Sequence, residues 1–246
     1  MTTFLTTPPS TVTRSAPDPN LRDLAYASAL LTSAERLQQA PDLPALLDAL
    51  AAEAAIVIRA DDTAVVRCAG ISRQVAGVHL PSHLATASYR ARIIAAAGEA
   101  WQVAPGSISD LMLDERWTVR GPELAGSSWR SVLTVPLVSL SRQHQDRLTW
   151  FSSAPGAFDD VADVAELFAR QANLAIQAVG TRTQLTTAVE ARNRIGQAQG
   201  ILMARHRLTA EQAFAVLRSR SQTTNIKISA LAAHVIATGD LPPLTG

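Results

Sequence analysis

Ala191-Arg-Asn-Arg-Ile-Gly-Gln-Ala-Gln-Gly-Ile-Leu-Met-Ala-Arg205, followed by Leu208-Thr-Ala-Glu-Gln-Ala-Phe214, is the stretch from which the C-terminal part of the chain can be read. Ile195, Ala198, Ile201 and Leu202 recur at the spacing of one helix face, with Arg192, Arg194 and Arg205 off that face. His206-Arg-Leu208 breaks the rhythm. Thr209 suits an N-cap, and Gln212 three residues later completes a capping box. Ala213, Phe214, Val216 and Leu217 supply the apolar face of a second helix. Asn225 is placed to open a third, running through Ile228, Leu231, Ala232 and Val235 to Gly239, with Pro242 and Pro243 beyond. Periodicity alone predicts three short helices with arginines on their surface.

The residues add to this. Arg194-Ile-Gly-Gln-Ala-Gln-Gly-Ile-Leu-Met203, then Ala213-Phe214, Leu217-Arg218, Ser221 and Asn225, resemble the ANTAR domain, an RNA-binding module that controls transcription antitermination. The resemblance spans residues 187–240 with its helix spacing intact. It implies an RNA-binding set of Arg192, Arg194, Gln197, Ala198, Gln199, Gly200, Arg205, Arg218, Asn225 and Lys227. Arginine planes stack on splayed bases and fork onto phosphates, and amides such as Gln197, Gln199 and Asn225 read base edges. Ala198 and Gly200 permit close approach of RNA or of a neighbouring helix. Many ANTAR domains carry Lys where Gln199 stands, so one phosphate contact is weaker or replaced here. Ile195, Ile201, Leu202, Met203, Phe214 and Leu217 are expected in the core.

The charge distribution agrees with a polyanionic partner. The whole chain, at 246 residues, has a formal net charge of +1. Residues 181–246 hold eight Lys or Arg against three Asp or Glu, a net +5, and residues 1–180 hold fourteen against eighteen, a net −4. Lys227 is the only lysine. Cys68 is the only cysteine, so no intrachain disulfide can form, and a cytoplasmic setting is expected. No secretory signal or membrane span is read from the sequence.

Upstream, residues 1–20 carry Pro8, Pro9, Pro17 and Pro19 without an apolar pattern and are expected to be a disordered tail. Leu21 to Leu37 predicts a helix with Leu24, Leu30 and Leu31 inward, and Pro41 to Ala55 a second with Leu43, Leu46, Leu47 and Leu50 as its face. Ala55-Ile-Val-Ile58 reads as a strand, ended by an Asp61-Asp62 turn and paired as a hairpin with Thr63 to Cys68. Leu84 to Ala97 predicts a helix, Glu99 to Val103 a short strand, and Ile108 to Gly126 a loop with helical turns. Ser131 to Leu137 and Arg147 to Ser152 read as two central strands, with Pro136 marking a bulge or an edge. No proline lies between Ala157 and Leu241. Asp159 is placed to cap a long helix through Val161, Val164, Phe168, Ala172, Ile176 and Val179, with Gly180 as a soft joint. Leu185, Ala188, Arg192, Ile195, Gln199 and Leu202 continue it at coiled-coil spacing.

Asp114-Glu-Arg-Trp117, Ser131 to Pro136, Phe151-Ser152 and Pro155-Gly-Ala-Phe-Asp-Asp160 resemble the GAF domains that precede ANTAR in actinobacterial regulators. The sequence departs from that pattern at Leu80-Pro-Ser-His-Leu-Ala-Thr86 and at Gln143-His-Gln-Asp146, where family glycines are missing, so no ligand set carries over. The expected class is α+β: an N-terminal GAF/PAS-like antiparallel sheet flanked by helices, a long connecting helix and a C-terminal three-helix ANTAR bundle. The expected domains are a GAF-like sensor at 21–158, a connecting helix at 159–186 and an ANTAR domain at 187–240.

Catalytic signatures are absent: no phosphate-binding Gly-x-x-x-x-Gly-Lys loop, no nucleophile elbow, no Cys-x-x-Cys. His79 and His83 stand four apart, but Pro81 between them argues against a helical metal pair. A phosphoacceptor receiver domain needs a lysine upstream of Lys227, and none exists. The expected function is RNA-binding antitermination without catalysis and without a cofactor. The expected partners are RNA hairpins of a leader transcript, a second copy of the chain and a small-molecule ligand for the GAF-like domain, with no membrane. The alternatives are a small-molecule sensor whose C-terminal helices bind a protein partner, and a DNA-binding helical regulator.

Overall fold

Asp42 starts a helix by accepting the Ala45 N–H on its Oδ1 at 2.9 Å, with Pro44 in the first turn. That helix, α2 (Leu43–Ile58), follows α1 (Pro19–Gln38). The chain is seen in a computed structural model that describes residues 19–69, 72–80, 86–100, 106–118, 128–141 and 144–243. The disordered tail expected at 1–20 lies, up to residue 18, outside the described residues.

Helix α2 does not end at Ala55. Leu46, Leu47, Leu50, Ala51, Ala54, Val57 and Ile58 are buried at helical spacing, and Arg59 closes the helix in the left-handed region at φ 55°, its N–H reaching Ala55 O. The expected strand at 55–58 is therefore the last turn of a helix; a short apolar run reads either way by pattern alone. In α1 the buried face is Ser33 and Leu37, with Leu30 partly covered. Leu24 and Leu31, expected inward, are 67% and 69% exposed. Ser33 turns inward because Gln171 donates its amide to Ser33 Oγ at 3.0 Å and to Leu30 O at 3.1 Å.

The sheet contains β1 (Asp62–Ala69), β2 (Ser72–His79), β3 (Gly106–Ile108), β4 (Ser131–Leu137) and β5 (His144–Ser152). Their order is β2-β1-β5-β4-β3, and every pairing is antiparallel. The hairpin partner of β1 is β2, which the sequence reading did not identify. Asp62 belongs to the strand and not to the turn. His144 to Asp146, expected before the last strand, begin it: Asp146 is buried opposite Arg67, which forks onto it through Nε (3.0 Å) and an NH2 (2.9 Å). Pro136 causes no break, because the described part of β3 pairs only as far as Thr134. Helix α3 (Ala87–Ala100) absorbs Glu99 and Ala100, expected in a strand; residues 101–103 of that strand, and Leu84–Ala85 of the expected helix, lie outside the described residues. Within the expected loop, Glu115–Thr118 forms the short helix α4, and residues 119–126 lie outside the described ones.

Strand alternation gives the sheet two buried faces. On one, Trp150 donates to Ala54 O at 2.9 Å and meets Phe168 edge-on at 6.4 Å. Gly77 in β2 is required there: a β-carbon would collide with the backbone of Leu47. On the other face Ala64, Val66, Val132 and Phe151 pack with Tyr89, Ile93 and Ala96 of α3 and with Trp129. Helix α5 (Ala162–His206) begins three residues after Asp159, whose Oδ1 accepts Ser109 Oγ at 2.6 Å. The helix runs unbroken through Gly180, expected as a joint. Contacts divide the chain into two compact units, Met1–Ile176 and Gln177–Gly246.

One buried polar group stands out in the first unit. Asp62 is fully buried, and its Oδ2 accepts Tyr89 OH at 2.6 Å and Trp129 Nε1 at 2.7 Å. Its Oδ1 has no partner among the described residues. Burial pushes the Asp62 carboxyl above the usual carboxylate range, while the two donors pull it back. Because folding raises this pKa, its contribution to stability is complete below the ordinary carboxylate pKa and is lost as pH rises through the raised value. Asp62→Ala orphans the Trp129 N–H and is expected to destabilise the unit by about 1–3 kcal/mol at acidic pH. The deficit should shrink as pH rises; urea titrations at several pH values check this, and a deficit constant with pH contradicts it.

Candidate nucleic-acid interface

The second unit is built on three helices: the C-terminal part of α5, α6 (Ala210–Thr224) and α7 (Ile228–Thr238). Helix α6 starts as the sequence predicts: Thr209 Oγ1 accepts Gln212 N at 3.3 Å, and Gln212 Oε1 accepts Thr209 N at 2.9 Å. The core is Ala198 and Leu202 from α5, Ala213 and Leu217 from α6, and Leu231, Ala232 and Val235 from α7, flanked by Ile195, Ile201, Met203, Leu208 and Ile228. Phe214, expected in this core, is 40% exposed. Ala213, Leu217, Arg220 and Thr224 form the inward side of α6 at 4, 3 and 4 spacing, and Phe214 stands about 100° off Ala213.

The bundle sorts the expected RNA-binding residues. Arg192, Arg194, Gln197, Gly200, Arg205, Arg218, Asn225 and Lys227 are exposed. Ala198 is not: its side chain is fully buried, so of the two roles expected for it, packing against neighbouring helices is the one it has. Gln199 is half-buried and donates its amide to Ala210 O at 3.2 Å, tying α5 to the start of α6. Gly200 has open space where a β-carbon would stand, so no packing contact among the described residues requires glycine there. Asn225 does not open α7; it closes α6 in the left-handed conformation at φ 54°, which asparagine tolerates. Lys227 stands at the start of α7, and its carbonyl accepts the N–H groups of Ala230 and Leu231.

On α5 the arginines do not share one side. At 3.6 residues per turn Arg194 and Arg205, eleven residues apart, lie within about 20° of each other, while Arg192 and Gln199 form a second pair on nearly the opposite flank. Arg194 lies 3.7 Å from Glu190 one turn back. Arg205 Nε lies 3.3 Å from Asp240 Oδ2. The Leu241 N–H, with His206 and Arg205 beside it, holds the Asp240 carboxyl below the usual range. The coiled-coil seam is also divided: Leu202 is buried in the bundle and Ile195 partly so, which leaves Leu185, Ala188 and Val189 exposed on α5. Two further exposed side chains stand outside the set expected from the sequence. Arg207 is exposed in the left-handed turn after α5 at φ 54°, signalled only by the break in rhythm, and Phe214 is an exposed aromatic one turn before Arg218.

Open clefts are found among the described residues of the first unit. One, of about 690 Å³, is lined by Leu21, Tyr26, Ala29, Ile56 and Arg59; another, of about 520 Å³, by Thr134, Pro136, Glu166, Arg170 and Asn173. The described residues contain no group of three or more metal-ligating side chains and no helix long and apolar enough to cross a membrane; His83 of the pair weighed above lies outside them. Cys68 lies in β1.

Residues 183–236 match the ANTAR domain family, so the chain carries an ANTAR domain. No curated protein matches the sequence. Among solved structures, the phytochrome photosensory core module of Stigmatella aurantiaca is 14% identical with a TM-score of 0.54, over 83% of this chain and 46% of that one. A bacteriophytochrome from the photosynthetic bacterium R. palustris is 17% identical with a TM-score of 0.52, over 72% of this chain and 43% of that one. The chain thus spans less than half the length of either phytochrome, and the likeness is one of fold. A GAF domain of a phosphoenolpyruvate-protein phosphotransferase from Coxiella burnetii is 14% identical with a TM-score of 0.44, over 67% of this chain and 98% of that one.

The burial of Ala198 generates a stability prediction. Ala198→Leu adds three heavy atoms to a filled core and is expected to destabilise the second unit by about 1–3 kcal/mol in thermal or urea unfolding. Unchanged stability would place Ala198 back on the surface.

Proposed function

We propose that the chain is a signal-responsive regulator that binds RNA and prevents transcription termination. Paired ANTAR domains hold two stem-loops in a nascent leader transcript, excluding the overlapping terminator hairpin. The GAF-like N-terminal domain, expected at residues 21–158, takes a small ligand or partner and sets the dimer state. The single observation that supports this best is the coincidence of the family match at 183–236 with exposed cationic and amide side chains on the same bundle. Catalysis plays no part, and the setting is the cytoplasm.

The residues proposed to contact RNA are Arg192, Arg194, Gln197, Gly200, Arg205, Arg218, Asn225 and Lys227, with Arg207 and Phe214 added. Loop bases of a hairpin present faces and edges that a buried duplex hides. Phe214 and Arg218, four residues apart, lie on one side of α6 and offer a stacking plane beside a cation. Arg192 and Arg194 on opposite flanks of α5 engage different strands or different hairpins. Pairing of two chains is supported by Leu185 and Val189, 63% and 58% exposed in the free chain.

The protein-partner alternative draws on Val216, Ile226 and Ile236, apolar side chains exposed on the same bundle. RNA pull-down followed by sequencing separates the two readings.

Gel-shift titration with a tandem hexaloop hairpin tests the proposal, with affinity no better than for scrambled RNA rejecting it. Replacing Arg194 and Arg218 with alanine is expected to weaken binding and flatten its salt dependence by about one ion each. Phe214→Ala should weaken binding by about 1–3 kcal/mol while leaving the salt slope unchanged. A slope change for Phe214→Ala, or none for the arginines, would reject these assignments.

A further inference from the structure

After Thr238 the chain does not leave the bundle. Gly239 closes α7 in the left-handed region at φ 81°, and a β-carbon there would stand 3.1 Å from an NH1 of Arg205. The turn throws residues 240–243 back across the ends of α5 and α6. Leu241 packs against the bundle core, Arg220 NH1 donates to Pro242 O at 2.6 Å, and Thr238 Oγ1 donates to Asp240 O at 2.9 Å. The backbone is therefore anchored on both sides of Asp240.

This anchoring aims one carboxylate at two basic side chains. Asp240 Oδ2 lies 3.3 Å from Arg205 Nε, and Oδ1 lies 3.3 Å from His206 Nε2 while accepting the Leu241 N–H at 2.8 Å. An arginine and a histidine converging on two oxygens of one anion is the donor set that a phosphate takes. The contacts to Arg205 and His206 are longer than tight charge-assisted bonds, and the three side chains are 55%, 42% and 43% exposed. An exposed pair of this kind is weak, because solvent screens it, and is therefore displaceable.

We propose that Arg205 and His206 form a phosphate-binding corner of the ANTAR bundle, and that Asp240 occupies it as an internal stand-in for a phosphodiester of RNA until RNA displaces it. This rests on the RNA-binding reading above. It adds His206 to the site and gives the segment after α7 a role, because each bound RNA must break two contacts to Asp240 before gaining its own. The carboxylate thereby weakens binding of any polyanion that reaches only this corner and leaves affinity to RNA that also engages the rest of the face.

The test is Asp240→Asn in the full chain, which keeps an acceptor for the Leu241 N–H and removes the competing charge. With an unchanged unfolding temperature, affinity for the tandem hairpin should rise about two- to fivefold, with a steeper salt dependence. Arg205→Ala combined with Asp240→Asn should abolish the gain. Affinity unchanged or weakened by Asp240→Asn, or a gain that survives loss of Arg205, overturns the corner. Heparin chromatography reads the corner without RNA: Asp240→Asn should elute at higher salt only when Arg205 is present. A wild-type chain that fails to prefer hairpin over scrambled RNA, with this heparin shift intact, rejects the RNA reading and keeps the anion site; no Arg205-dependent shift overturns the site itself.

Discussion

Three buried alanines, Ala198, Ala213 and Ala232, one from each helix, set how near α5, α6 and α7 approach. Larger side chains at those positions would hold the helices apart, and Leu202, Leu217, Leu231 and Val235 would not close a common core. The outward set follows from this contact. With Ala198 and Leu202 inward, Gln197 and Gly200 turn to solvent, and Arg192 and Arg194 fall on opposite flanks. With Ala213 and Leu217 inward, Phe214 and Arg218 turn outward. The proposed interface is thus the complement of a small, tightly specified core.

Much of this was legible in the sequence because the signals were local and redundant. Thr209 and Gln212 satisfy each other's backbone groups, which only a helix start requires, and the proline-free run after Ala157 carries the unbroken α5. Strands β4 and β5 carry the β-branched and aromatic residues that favour a pleated, buried surface. What could not be read had tertiary causes. Ala55 to Ile58 is apolar on all sides and takes its helical state from the turns before it. Leu31 looks inward by composition, yet Ser33 takes the inner position through Gln171, a residue 138 positions away. Asn225 looked like a start signal and is a stop signal, since one side chain serves at either end of a helix.

The same split applies to the interface. The residue types came from the resemblance, while their availability came from packing: Ala198 is lost to the core and Gln199 to a bond with Ala210 O. Phe214 moved the other way, out of the core and into the exposed set. Asp240 attracts no notice in the sequence, and its place beside Arg205 and His206 depends on a left-handed turn at Gly239 and on Leu241 reaching the core. Charge pattern alone gave a net +5 for residues 181–246; the fold shows where two of the acids already counted in it lie, Glu190 beside Arg194 and Asp240 beside Arg205.

The central claim is that the exposed face of this bundle holds RNA hairpins. Crosslinking of the protein to nucleic acid in cells, followed by sequencing of what is bound, tests it most directly. The account predicts reads concentrated on paired stem-loops that overlap terminator hairpins in transcript leaders, lost when Arg194, Arg218 and Phe214 are replaced together. Recovery of no enriched RNA, or of duplex DNA instead, would contradict it.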